Sequence, residues 1–272
     1  MTDAPELLSL VLSLRPLALP EPGRPLPGWW GRAAHALLLE LVARQDPALA
    51  ARLHDENGLR PFTASTLLGR FEQGCPVPRN TYTLRFTTLQ APLAEVLLRA
   101  AAPGETLQLD YLPFQLLERW ASPEQHPQAG SASYAGLGAA RLVSENPERR
   151  ISLRFHSPTG FHSAGKHQPL PLPEQVFGSL LERWNAFAPL TFPEEARRYA
   201  GECLAVSRFE LRSAAVPFKE GGLRVGAVGE VVYTALSYDR YWMGVLRTLA
   251  AFARFSGLGA GTSFGFGQCA AF

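Results

Sequence analysis

Gly257-Leu258-Gly259-Ala260-Gly261-Thr262-Ser263-Phe264-Gly265-Phe266-Gly267-Gln268 follows an apolar run of helical period. Five glycines stand within the eleven residues 257–267. Glycine has no Cβ to oppose positive φ, so the backbone can approach a partner closely and turn successive N–H groups towards one anion. A phosphate-bearing ligand suits such a surface. A nucleotide P-loop needs Lys followed by Ser or Thr after its last glycine, and this stretch contains no Lys. The dinucleotide fingerprint stands after an early strand and carries an acidic residue about twenty positions further on, where here only a handful of residues remain. Both nucleotide loops are therefore set aside. Leu258, Phe264 and Phe266 alternate with the glycines and predict a structured turn that runs into a final strand from Ser263 to Phe272.

The rest of the composition is that of a water-soluble globular chain. Its 272 residues are 46% hydrophobic and 18% charged, enough for one large or two small domains. No apolar run approaches the roughly eighteen residues of a membrane span. Residues 1–19 carry Asp3 and Glu6 where a signal peptide is basic, and they read as a first strand. Cys75, Cys203 and Cys269 show no paired spacing, which fits a reducing cytoplasm without structural zinc. The net charge of +2 announces no nucleic acid by itself. All cations except Lys166 and Lys219 are Arg, whose planar fork matches phosphate and stacks on bases, although genomic base composition produces the same bias.

Taken in order, the apolar periods predict a strand over 7–19 and a helix after Gly28 with Trp30, Ala34, Leu37, Leu38 and Leu41 on one face. Asp46 caps a second helix that starts at Pro47 and stops at Asn57-Gly58. Strands over 62–68 and 82–89, a helix over 92–102 and a strand over 106–117 complete a β-α-β-β-α-β order. Residues 122–138, rich in Pro, Gly, Ser and Gln, read as a linker. The order then repeats: a strand over 150–155, a helix over 174–187, strands over 203–214 and 223–233, a helix over 238–255 and the final strand. The fold class is α+β, with two tandem ferredoxin-like domains: residues 1–121, the linker 122–138, and residues 139–272 with the glycine-rich loop.

Residues 32–60 gather groups suited to proton transfer and to phosphate. They supply Arg32, His35, His54 and Arg60, with the two histidines on the flanks of consecutive helices. Imidazoles move protons near neutral pH, and Arg stabilises charge on phosphoryl oxygens. Each also has a plain structural account, His54 as a solvated residue at a helix C-terminus and His35 as a packed flank residue. His156, His162 and His167 cluster near Lys166, but their spacing fits no zinc pattern, and a basic hairpin suits them better. His126 falls in the linker and needs no role.

The glycine stretch resembles the signature loop of the RAMP superfamily of CRISPR-associated proteins. Within it, the chain is most similar to the repeat-processing endoribonucleases, the sixth Cas family. Phe155-His156-Ser157-Pro158-Thr159-Gly160-Phe161, Pro173-Glu174-Gln175-Val176-Phe177-Gly178-Ser179-Leu180-Leu181-Glu182-Arg183-Trp184-Asn185, and Leu53-His54 followed by Gly58 and Pro61-Phe62-Thr63 carry the same likeness in the family's order.

The resemblance implies the two ferredoxin-like domains and an endoribonuclease that cuts CRISPR repeat RNA, the precursor crRNA. The implied cut needs no metal or cofactor: the 2′-hydroxyl attacks phosphorus, leaving a 2′,3′-cyclic phosphate and a 5′-hydroxyl. It points to His54 as the catalytic histidine, His35 as a second proton carrier and Arg60 as the transition-state cation. RNA is expected on Gly257, Gly259, Gly261, Ser263, Gly265, Gly267, Lys166 and Arg32. The partner is repeat RNA, with room for a homodimer and for hand-off to a CRISPR effector complex, in the cytoplasm and not on a membrane. A non-catalytic RAMP-type RNA-binding subunit is the alternative. The chain departs from the family in having Leu39 where some relatives carry Tyr, and in a loop whose Ala260 and Thr262 are neutral, so that side-chain phosphate contacts fall to residues such as Arg154, Arg212 or Arg224.

Overall fold

The structure is a computed structural model that describes residues 5–55, 58–163, 165–217 and 222–272. It forms two compact units, one comprising the chain up to Ser131 together with Ser263–Gly265, the other Ala132–Thr262 with Phe266–Phe272.

In the first unit β1 (Leu7–Pro16) is central, because its run of Leu and Val is buried on both faces. Antiparallel partners flank it: β4 (Tyr82–Thr88) on one side and β6 (Leu112–Trp120) on the other. The full order is β2-β4-β1-β6-β5, with β2 (Phe62–Ala64) and β5 (Thr106–Leu109) at the edges and β3 (Leu68–Gly69) also on β4. Leu8, Leu10, Leu12 and Leu14 point to one face and share a core with Leu37, Leu38 and Leu41 of α1 (Gly31–Gln45) and Leu93 and Leu97 of α3 (Ala91–Arg99). The short α2 (Pro47–Asp55) starts as expected, with Asp46 Oδ1 accepting the Leu49 N–H at 2.9 Å. Asn57 of its expected stop lies outside the described residues.

In the second unit β8 (Arg150–Thr159) is central, in the order β11-β12-β8-β13, with β11 Leu204–Pro217, β12 Leu223–Ala235 and β13 Cys269–Ala271. All its pairings are antiparallel. The helices α5 (Pro173–Phe187) and α7 (Arg240–Ser256) supply the other layer, with Phe177 and Trp184 packed on Tyr233 and Phe252. In each unit the first strand sits in the middle, and the helical crossovers pass over it or its neighbour to reach the strands on the far side. Both units are therefore ferredoxin-like.

Three sequence expectations change. The strand over 106–117 is a hairpin, β5-β6, turned at Asp110, whose φ of +58° is one that Asp tolerates. The stretch 122–138 carries β7 (Gly130–Ala132), which pairs with β1, and opens α4 (Tyr134–Leu142) with Ser133 Oγ accepting the Gly136 N–H at 3.0 Å. Its polar composition hid a strand whose order comes from backbone bonds and a serine that serves as a helix cap. The final strand shrinks to β13, because Gly265 and Gly267 take φ of +91° and +65°, outside extended geometry, and a 3-10 turn occupies Thr262–Phe264.

Helix α7 is capped by Asp239, whose carboxylate accepts the Trp242 N–H at 3.0 Å. Asp239→Ala is expected to lower stability by about 1 kcal/mol, read as a fall in the melting temperature of the second unit, with Asp239→Asn close to the parent.

Candidate active site

His35 sits half-buried on α1, one turn after the exposed Arg32. Its imidazole stacks on Phe264 at a centroid distance of 4.5 Å and lies 5.4 Å from the Phe62 ring. Nδ1 lies 3.1 Å from the Ser263 carbonyl oxygen. A carbonyl only accepts, so Nδ1 carries the proton of the neutral ring, and the Nε2 lone pair is left for chemistry.

Residues far apart in the chain make this arrangement. The Trp29 indole N–H donates to the Phe264 carbonyl at 2.7 Å, and the Gly265 N–H donates to Ala64 at 2.9 Å, forming a parallel bridge to Ser65. The fit is close: a Cβ on Gly31 would stand 1.9 Å from the Phe264 oxygen, and one on Gly265 2.7 Å from Trp29 Nε1.

Burial pushes the His35 pKa below the ordinary imidazole value. The Ser263 bond opposes this, and the charges of Arg60 and His54 add to it. The three residues expected to act together are thus electrostatic neighbours, and burial, aided by the two charges, favours the neutral form of His35. His54 is exposed in the last turn of α2. Arg60 is not a free cation: its guanidinium donates to the Leu53 carbonyl and, at 3.3 Å, to that of His54. It ties off the end of α2, where carbonyls otherwise lack partners.

In the second unit the glycines serve shape more than donation. Gly257, Gly259 and Gly267 have positive φ, and a Cβ on Gly259 or Gly267 would lie 2.3 Å from the Gly160 oxygen or 2.0 Å from that of Leu258. Their N–H groups are occupied, by Ala253, the Ser179 hydroxyl and Pro158 respectively. The N–H groups of Gly261 and Thr262 make no hydrogen bond among the described residues.

Of the Arg residues named for phosphate, Arg224 stands at the loop, over Phe266 at 5.0 Å and against Gly261. Arg154 is ion-paired with Glu230 at 2.6 Å, and Arg212 lines an apolar groove with Leu170 and Leu172. Lys166 opens β10 (Lys166–Gln168), paired with β9 (Phe161–Ser163), but its side chain lies outside the described residues. In that hairpin the His162 and His167 rings are 5.4 Å apart. His126 stacks on Trp120 at 5.1 Å. No group of three or more His, Cys, Asp or Glu able to hold a metal ion occurs among the described residues. No helix among them is long and apolar enough to cross a membrane.

Sequence reasoning placed Phe264 in the glycine turn without linking it to His35, and it passed over Trp29, Gly31, Ser179 and Arg183. Only the last two left a signal, their spacing of four inside a helical segment that carries the family likeness.

The family model for the CRISPR-associated endoribonuclease Cas6 matches residues 153–269, and that for the Cas6 N-terminal domain matches residues 7–91. A CRISPR-associated endoribonuclease Cas6 of Mycobacterium tuberculosis is 31% identical over 171 residues, 62% of this chain and 50% of that protein. The match spans about half the length of the curated relatives. Among solved structures, a Cas6 product complex superposes with a TM-score of 0.81 at 30% identity, covering 100% of both chains. Thermus thermophilus Cas6 follows at 0.75 and 29%, covering 99% of each. A Cas6-related protein from Pyrococcus furiosus, at 12% identity and a TM-score of 0.61, shares the fold. The chain belongs to the CRISPR-associated endoribonuclease Cas6 family.

Proposed function

We propose that the protein is an endoribonuclease that cuts CRISPR repeat RNA in precursor transcripts by attack of the 2′-hydroxyl on the adjacent phosphorus, without a metal ion. The observation that carries this is His35, neutral and oriented by a main-chain carbonyl so that Nε2 can accept a proton. Similar Cas6 proteins have been solved with product and with a substrate mimic.

His35 Nε2 takes the proton from the 2′-hydroxyl, and the cyclic phosphate forms as the bond to the 5′-oxygen breaks. His54 returns a proton to that leaving oxygen. The sequence ranks His54 first without assigning acid or base, and the contacts that hold His35 on several sides support giving it the part of the base. Arg60 positions the end of α2 and, by its charge, favours the base form of His35. RNA phosphates lie along the glycine loop, where Gly261 and Arg224 face them, with Arg32 and Lys166 as further cations.

His35→Ala is expected to slow single-turnover cleavage of the cognate repeat RNA by about 10²- to 10⁴-fold while RNA binding persists. The assay is run in excess chelator, beside an RNA with one 2′-deoxyribose at the cut site. Cleavage of the deoxy RNA would falsify the 2′-hydroxyl mechanism, and tight binding without cleavage by the parent protein would favour a non-catalytic RNA-binding subunit.

A general base works only when unprotonated, so the rate falls as pH drops through the His35 pKa. That pKa is lowered, which places the acid limb of the pH–rate profile below 6.5. Arg60→Ala removes one of the lesser causes and should move the limb upward, short of the ordinary value because burial remains. A limb that stays in place shows that Arg60 does not act on His35.

Gly31→Ala places a methyl group against the Phe264 carbonyl and should lower the cleavage rate more than RNA affinity. An unchanged rate separates the Ser263–Gly265 contact from catalysis.

A further inference from the structure

Ser179 and Arg183 lie four residues apart on α5, on one helix face. Both meet Gly259: the Ser179 hydroxyl accepts its N–H at 3.0 Å, and Arg183 Nη2 donates to its carbonyl at 3.2 Å. One helix face therefore holds both polar groups of a single loop residue. The opposite side of Gly259 is closed by Gly160, whose carbonyl also accepts the Ala260 N–H at 2.9 Å.

The Arg183 side chain is only 5% exposed, and its Nε and Nη1 are buried without a partner. No carboxylate pairs with it among the described residues, and neighbouring Glu182 turns instead to Arg197 at 3.6 Å. Burial pushes its pKa down to about 10, opposed in part by the nearby Cys269 and Glu182, and the guanidinium stays charged near neutral pH. A buried cation without a counter-ion works against folding, and an apolar side chain of similar shape is commonly tolerated as well or better. Stability therefore does not explain Arg183. Its surroundings do: it lies beneath a loop whose own side chains Ala260 and Thr262 are neutral, and whose Gly261 and Thr262 N–H groups have no partner among the described residues.

We propose that Arg183 is a positioning residue for RNA: it fixes Gly259, and its buried charge makes the glycine loop a seat for one backbone phosphate, the missing counter-ion. The guanidinium acts through the loop without touching the RNA. Across protein of low dielectric such a charge is felt over several ångströms, and salt screens it less than an exposed one. The inference rests on the RNA-processing function and adds to it the origin of the loop's affinity for phosphate.

The test compares the parent protein with Arg183→Met, Arg183→Lys and Ser179→Ala. Three quantities are measured: the melting temperature without RNA, the Kd for repeat RNA carrying 2′-deoxyribose at the cut site, and the cleavage rate at saturating RNA. Arg183→Met is expected to melt at the parent temperature or above it, to bind about ten- to a hundredfold more weakly, and to cleave at nearly the parent rate once saturated. Arg183→Lys should recover most of the affinity, and Ser179→Ala should lose little. A purely structural residue gives the reverse, lower melting with parental affinity, and that result overturns the proposal. So does equal loss of affinity in Arg183→Met and Ser179→Ala, which assigns the effect to loop shape alone. If Arg183→Met does not fold, parental affinity in Ser179→Ala with weak binding by Arg183→Lys also overturns it. A parent protein that binds no RNA overturns the function as well, whereas parental binding that Arg183→Met leaves untouched overturns this inference alone.

Discussion

The carbonyl of Phe264 rests against the first turn of α1, bonded to the Trp29 indole at 2.7 Å, and the candidate active site depends on that contact. It brings the Ser263 carbonyl to His35 Nδ1 and the Phe264 ring to the imidazole face. The approach is possible because Gly31 has no side chain to occupy the same space. Three residues from the far end of the sequence thus fix the tautomer of a histidine on the first helix. A hydrogen bond to a carbonyl does what a carboxylate does in many other imidazole sites, with a smaller electrostatic consequence. It orients the ring without adding a full negative charge that would strongly favour protonation.

The electrostatics around His35 have a consistent direction. Burial, Arg60 and His54 all disfavour the imidazolium, and the Ser263 bond offsets them only in part. Arg60 reaches this role indirectly. Its guanidinium is committed to two carbonyls at the end of α2, which holds it in place as a fixed positive charge near the imidazole. The same principle recurs beneath the glycine loop, where Arg183 is committed to Gly259. In both places an arginine is held by main-chain oxygen.

Much of the architecture was legible because its signals are local. The apolar run of β1, the helical stripe Ala34, Leu37, Leu38 and Leu41, the Asp46 cap and the two βαββαβ orders follow from side-chain period and capping chemistry. The errors fell where backbone bonding or positive φ decides. Asp110 turned one expected strand into a hairpin, β7 formed from residues of linker-like composition, and two glycines shortened the last strand. Candidate residues could be named from the sequence, but their surroundings could not. His35 and His54 both stand on helix flanks in the sequence, and nothing within either helix reveals that one is half-buried and oriented while the other is exposed.

The sequence by itself determined the family, the two ferredoxin-like units and the candidate residues His35, His54 and Arg60, because periodicity and motif order are properties of neighbouring residues. Only the tertiary structure decided what surrounds each of them. Whether a histidine is neutral, which nitrogen carries its proton and whether an arginine is free or spent depend on groups more than 200 positions away in one case and seven in another, His35 with Ser263 and Arg60 with Leu53. Desolvation and hydrogen bonding act through space, and the chain order does not encode those distances until it has folded.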